Sequence, residues 1–155
     1  MNRSRFTRLA ILALGLALAV GVASPAAAKV KPKDGAYYQA LGKQSGYIIT
    51  EKGKITGVSA TLKFKLKNGK TCIPEGLYDS DGVAGVYFAP KRPVAPKRTN
   101  RFSFKGTKQT SYPKLKTSIS GRLVNANKAA FTIKARQGGC SAQLTLKRAK
   151  YTAGG

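Results

Sequence analysis

Apolar side chains in this chain recur at every second position, in short runs broken by glycine, asparagine and proline. That spacing is the mark of half-buried strands, and no segment after residue 28 sustains the 3.6-residue repeat of a helix. The strictest run is 61–67, where Leu62, Phe64 and Leu66 face one way and Lys63, Lys65 and Lys67 the other. Asn68-Gly69 follows, the preferred pair for a two-residue type I′ hairpin. Residues 70–73 should then return as a strand that carries Cys72 and ends at Pro74. Strands are also expected over 35–40, 45–50, 55–58, 83–89 and 101–105. In the last third, 117–124 sets Ile119 and Leu123 on one face, with Gly121 marking a bulge or a close contact. Residues 129–136 put Phe131, Ile133 and Ala135 inward, and 140–146 put Cys140, Ala142, Leu144 and Leu146 inward. About 8–10 short strands joined by short turns predict an all-β fold, a single-domain antiparallel β-sandwich or β-barrel.

The first 28 residues stand outside that pattern. Arg3, Arg5 and Arg8 precede the apolar run 9–22, and Ala26-Ala27-Ala28 supplies small residues for cleavage. This is the layout of a secretory signal peptide cut after Ala28. The run is short for a bilayer span, so no stable membrane insertion is expected once the signal is removed. The protein is expected to be secreted, extracellular or associated with the cell envelope, with residues 29–155 as one β-domain.

Cys72 and Cys140 are the only cysteines. Two thiols in an exported chain predict one disulfide. It would close a loop of about 69 residues and contribute about 4 kcal/mol on the loop-entropy model. Without histidine, the pair cannot complete an ordinary zinc site, and no metal or other cofactor is expected.

The chain carries 29 Lys and Arg against five Asp and Glu, with no His, for a formal charge of +24. Removing the signal takes three arginines and leaves +21. Such a surface attracts anionic polymers or surfaces. The missing histidine also removes the usual base for a serine or cysteine nucleophile, so an enzyme is not expected.

Two cationic segments are candidate contact sites. Ala89-Pro90-Lys91-Arg92 recurs as Ala95-Pro96-Lys97-Arg98, with Arg101 just beyond. The prolines favour an extended, solvated arm over 89–101, along which Lys91, Arg92, Lys97, Arg98 and Arg101 could meet phosphates or carboxylates. The alternative is a solvated loop that blocks edge pairing. The second segment is the Lys63, Lys65, Lys67 row, a flat positive patch or a plain solvated face. Asp79-Ser80-Asp81-Gly82, with Glu75 nearby, resembles half a calcium loop but lacks the remaining ligands, and an Asp-Gly turn is the simpler reading. Phe102 and Phe104 alternate with cations as in single-strand nucleic-acid platforms, although the core is the usual destination of such a face.

Gly35-Ala36-Tyr37, Asn68-Gly69-Lys70-Thr71-Cys72, Arg101-Phe102-Ser103-Phe104, Ile119-Ser120-Gly121-Arg122-Leu123, Ala130-Phe131-Thr132-Ile133, Cys140-Ser141 and Lys147-Arg148 occur in that order. The arrangement resembles small exported bacterial β-domain proteins of high-GC Gram-positive type. Those proteins are less basic, and many carry an aromatic where this chain has Leu144 and Leu146. The resemblance implies the β-fold and the disulfide, and no activity.

The expectation is therefore a non-enzymatic exported β-domain whose partners are anionic envelope polymers or polysaccharide, with nucleic acid less favoured by export. One alternative is a carbohydrate or small-ligand module using Tyr37, Tyr38 and Tyr78. Another is a basic structural protein with no specific ligand. A hydrolase using Asp79, Asp81 or Glu75 is the weakest alternative. Nothing in the sequence fixes the oligomeric state.

Overall fold

The computed structural model describes residues 28–77, 79–106 and 114–153. Nearly all of the expected signal segment lies outside that range, as does Tyr78. Nine strands follow in chain order: β1 Gly35–Leu41, β2 Gln44–Glu51, β3 Lys54–Leu62, β4 Asp79–Ser80, β5 Val83–Phe88, β6 Arg101–Lys105, β7 Lys116–Asn125, β8 Lys128–Gln137 and β9 Cys140–Thr152. All pair antiparallel in one sheet, in the order β4-β5-β3-β2-β1-β9-β8-β7-β6. The expected all-β fold is present, with the sheet curled into an open half-barrel.

Curling lets the two flanks share one core. Gly46 on β2 faces the side chains of Leu146 and Ile133 from β9 and β8; a Cβ there would lie 2.9 and 3.0 Å from them. β5 and β6 are not hydrogen-bonded, yet Phe88 and Phe104 pack with ring centroids 6.1 Å apart. The inward residues are the alternating ones: Ile48 on β2, Leu123 on β7, Phe131 and Ile133 on β8, and Leu144 and Leu146 on β9. Gly121 marks a close contact, since a Cβ there would come within 2.5 Å of the Ala130 carbonyl and 2.8 Å of Phe102.

The turns follow their chemistry with one exception. Lys52-Gly53 (φ 51° and 72°) and Asp81-Gly82 (56° and 76°) are two-residue loops with both φ positive, as type I′ requires. Asn68-Gly69 differs from the expectation: only Gly69 has positive φ, at 81°. Leu66 N donates to Lys70 O at 2.9 Å, and Gly69 N to Leu66 O at 3.0 Å. This is a three-residue loop closed by a left-handed glycine.

The segment expected as a continuous strand over 61–67 leaves the sheet after Leu62. Residues 63–73 form a hairpin that crosses one end of the half-barrel. Lys65 exchanges backbone hydrogen bonds with Ser141 at 2.8 and 2.9 Å, and Cys72 is joined to Cys140 with their Cα atoms 6.1 Å apart. Phe64 is the plug, fully buried.

The other end is closed by 89–100. This segment is a strap, not the free arm that its prolines suggest. Val94 and Ile55 exchange backbone hydrogen bonds of 2.9 and 2.8 Å, and Pro90 and Pro96 are buried. Asn100 (φ 60°) ends the strap. Its backbone carbonyl accepts from Leu123 N at 2.9 Å. Its side-chain amide accepts from Val30 N at 2.7 Å and donates to Ala28 O at 3.2 Å.

Candidate functional site

Antiparallel register sorts the outward side chains of β6–β9 into rows. Arg101 lies opposite Arg122, and Arg122 opposite Ala130. The next outward row is Ser103, Ser120, Thr132 and Thr145, hydroxyls on all four strands. Thr132 and Thr145 share a hydrogen bond of 3.0 Å between their Oγ1 atoms. Then come Lys105, Ser118, Lys134 and Gln143. The last row is Lys116, Arg136 and Ser141, extended by Lys65 through its bridge to Ser141.

Three contiguous hollows follow these rows. The largest, about 730 Å³, is bordered by Lys105, Lys116, Lys134 and Arg136. A second of about 650 Å³ is bordered by Lys97, Arg101, Arg122 and Lys147. A third of about 310 Å³ joins them over Ser103, Ser120 and Thr132.

The electrostatics of this face come directly from the sequence. Residues 101–155 hold twelve Lys and Arg and no Asp or Glu. All five acids lie earlier, at 34, 51, 75, 79 and 81. Among the described residues, the salt bridges are Lys43–Asp81 at 3.7 Å, Lys52–Glu51 at 3.9 Å and Lys114–Glu75 at 3.6 Å, all solvent-exposed. None involves a cation that borders the hollows. Like charges this close on neighbouring strands repel, and an anion lying over them relieves the repulsion.

The residues expected from sequence are only partly gathered here. Lys97 and Arg101 border the second hollow, and Lys65 extends the last row. Lys91, Arg92 and Arg98 are exposed on the strap but border none of the hollows. Lys63 and Lys67 are exposed on the crossing hairpin, not on the face of a sheet. Arg122, Lys134, Arg136, Lys105, Lys116 and Lys147 are not among the contact residues that the sequence suggests. Each looks unexceptional within its own strand, and only register between strands assembles them. The acid-free stretch after residue 100 was the available signal.

The other candidates fare differently. Tyr37 points into the core and is fully buried, so it cannot line a surface site. Its hydroxyl donates to Ala126 O at 2.9 Å and accepts from Lys33 N at 3.1 Å. Burial raises its pKa above the ordinary phenol value. Tyr38 is 42% exposed and lies opposite Tyr47, which lies opposite Ser59, itself opposite Tyr87. Asp81 sits in its turn paired with Lys43. Phe102 is buried, as the core reading of that strand has it. Among the described residues, no group of three or more Cys, Asp or Glu could hold a metal ion.

Comparison with known protein families, with curated proteins and with solved structures finds no match.

Proposed function

We propose that this protein is an exported, non-enzymatic domain that binds anionic polymers of the cell envelope or extracellular space through the outer face of β6–β9. One observation carries the reading: four adjacent strands turn rows of cations outward, in a stretch of sequence with twelve bases and no acid. Opposite charge supplies long-range attraction, and the hollows supply room for a chain to lie in contact. The disulfide fits an oxidising compartment. The absence of histidine speaks against catalysis by a serine or cysteine nucleophile. Export favours envelope polymers over nucleic acid, which the same face would also attract.

The test is retention on immobilised teichoic acid or acidic polysaccharide across a salt series. Counterion release makes log affinity fall linearly with log salt, by about 0.7–0.9 per contact on nucleic acids and by less on a more sparsely charged polymer. The expected slope is steep. Retention that does not change with salt removes the reading.

A second reading is favoured by the row Tyr38, Tyr47, Ser59, Tyr87 on the outer face of the opposite flank. Exposed aromatic rings set across a flat sheet are suited to sugar rings, and this row replaces Tyr37 in the carbohydrate alternative. Binding of a neutral glycan, insensitive to salt and lost in Tyr38→Ala/Tyr87→Ala, would favour it.

A further inference from the structure

The cations on the outer face of β6–β9 are not evenly spread. Arg101 and Arg122 form a band at one end, with Lys97 and Lys147 bordering the same hollow. Lys105, Lys134, Lys116 and Arg136 form a band at the other. Between them lies a row with no charge at all: Ser103, Ser120, Thr132 and Thr145. Along β7 the sequence of outward residues is Arg122, Ser120, Ser118, Lys116, and along β8 it is Ala130, Thr132, Lys134, Arg136. The first and third rows are four residues apart, about 14 Å at the rise of an antiparallel strand.

Such a face differs from one built for a uniformly charged chain. Polyphosphate, or the backbone of a nucleic acid, offers acceptors at every repeat and is matched by unbroken donors. A hydroxyl row is both donor and acceptor. Its lone pairs are satisfied by water or by a ligand that brings hydroxyl donors of its own. Thr132 and Thr145 already share one hydrogen bond between their hydroxyls, an arrangement that still leaves lone pairs for a ligand. No large apolar side chain borders the connecting hollow apart from Phe104 and Ile119, which belong to the core.

From this juxtaposition we infer that the ligand is an acidic polysaccharide in which charged and neutral hydroxylated sugars alternate, lying along the strands so that its anionic groups meet the two cationic bands and its neutral sugar crosses the hydroxyl row. The inference rests on the polyanion reading above and narrows it to one chemical class. It makes the hydroxyl row a specificity element and the bands the source of affinity.

The test compares hyaluronate, whose uronate and neutral sugars alternate, with inorganic polyphosphate and double-stranded DNA, at matched charge concentration and moderate salt. The proteins are wild type, Ser103→Ala/Ser120→Ala and Thr132→Val/Thr145→Val. Each variant changes surface positions only, and thermal melting checks its fold. If one variant does not fold, the other is read. Expected are hyaluronate binding at least as tight as polyphosphate binding in wild type, a loss of about tenfold or more for hyaluronate in the variants, and unchanged polyphosphate binding. Equal losses for both polymers, or no loss for hyaluronate, overturn the inference while leaving polyanion binding in place. Tighter binding of polyphosphate or DNA by wild type also overturns it and assigns the face to a phosphate polymer. Failure to bind any of the three removes the polyanion reading itself.

Discussion

The two flanks of the half-barrel are built from the same antiparallel hairpins and share one core, yet their outer faces are opposites. On β1, β2, β3 and β5 the outward row is Tyr38, Tyr47, Ser59 and Tyr87, and all five acids lie in the strands, turns and loops of residues 34–81. On β6–β9 the outward rows are mostly Arg, Lys, Ser and Thr, with Ala130, Gln143 and the exposed Val124 beside them and no acid anywhere in the stretch. Inward positions are constrained alike on both flanks by packing. Outward positions are free of that constraint, so a difference this consistent points to different surroundings for the two faces. Of the formal charge of +24, three units lie before residue 29; residues 29–100 carry fourteen bases and five acids, and residues 101–155 carry twelve bases and no acid, so the flanks differ in acids more than in bases.

Several changes would break or sharpen this contrast. The largest effect should come from the link between the flanks. The Cys72–Cys140 disulfide ties the hairpin that continues β3 to the start of β9. Cys72→Ser/Cys140→Ser should lower unfolding free energy by about 4 kcal/mol, read by denaturant melts, and should loosen the end of the barrel where Lys65 meets Ser141. A smaller effect separates the flanks through their glycines. Gly121→Ala on the cationic flank drives a methyl against the Ala130 carbonyl, which is backbone and cannot rotate away, and should cost about 2–3 kcal/mol. Gly57→Ala on the tyrosine flank meets only the ends of Tyr87 and Ile49 side chains at 3.1–3.3 Å and should cost less than about 1 kcal/mol. Comparable losses would mean that the two flanks are equally tight.

The smallest effect concerns Tyr37, whose hydroxyl reaches from β1 to the turn between β7 and β8. Tyr37→Phe should cost about 1 kcal/mol at neutral pH. Burial raises the folded-state pKa of this phenol, so the unfolded chain releases the proton first as pH climbs. The contribution is whole below the ordinary phenol value and is lost as pH rises through the folded-state value. Wild type and Tyr37→Phe should therefore converge in stability in alkali, a difference measurable by melts at paired pH values.

Much of this fold is legible in the chain because alternation and turn chemistry are local. Ala142, Leu144 and Leu146 face inward as their spacing requires, and Asp81-Gly82 turns as its composition requires. Two kinds of feature escaped. The first depends on where a strand leaves its sheet. Leu62, Phe64 and Leu66 keep perfect alternation, but the chain departs after Leu62 to cover the barrel end, and alternation cannot distinguish a strand from a crossing hairpin. Tyr37 and Tyr38 are similarly ambiguous, since either could face the core and only pairing with Ile48 and Tyr47 decides. The second is collective. Arg122, Lys134 and Arg136 become a face only when β7 and β8 are set in register, whereas the doubled Ala-Pro-Lys-Arg motif is conspicuous in sequence because it is contiguous. Its prolines turned out to anchor a strap across the barrel end, which leaves Lys91 and Arg92 away from the hollows.

The measurement that bears most directly on the contrast is the salt dependence of retention on an acidic polysaccharide for two charge-neutralised variants. Arg122→Gln/Lys134→Gln/Arg136→Gln removes three cations from the β6–β9 face, and Lys91→Gln/Arg92→Gln/Arg98→Gln removes three from the strap. Net charge changes equally. The first variant should lose most of the wild-type log–log salt slope and the second little of it. Equal losses would show that total charge governs binding, and a larger loss in the second variant would return the site to the strap; either result contradicts binding through the β6–β9 face.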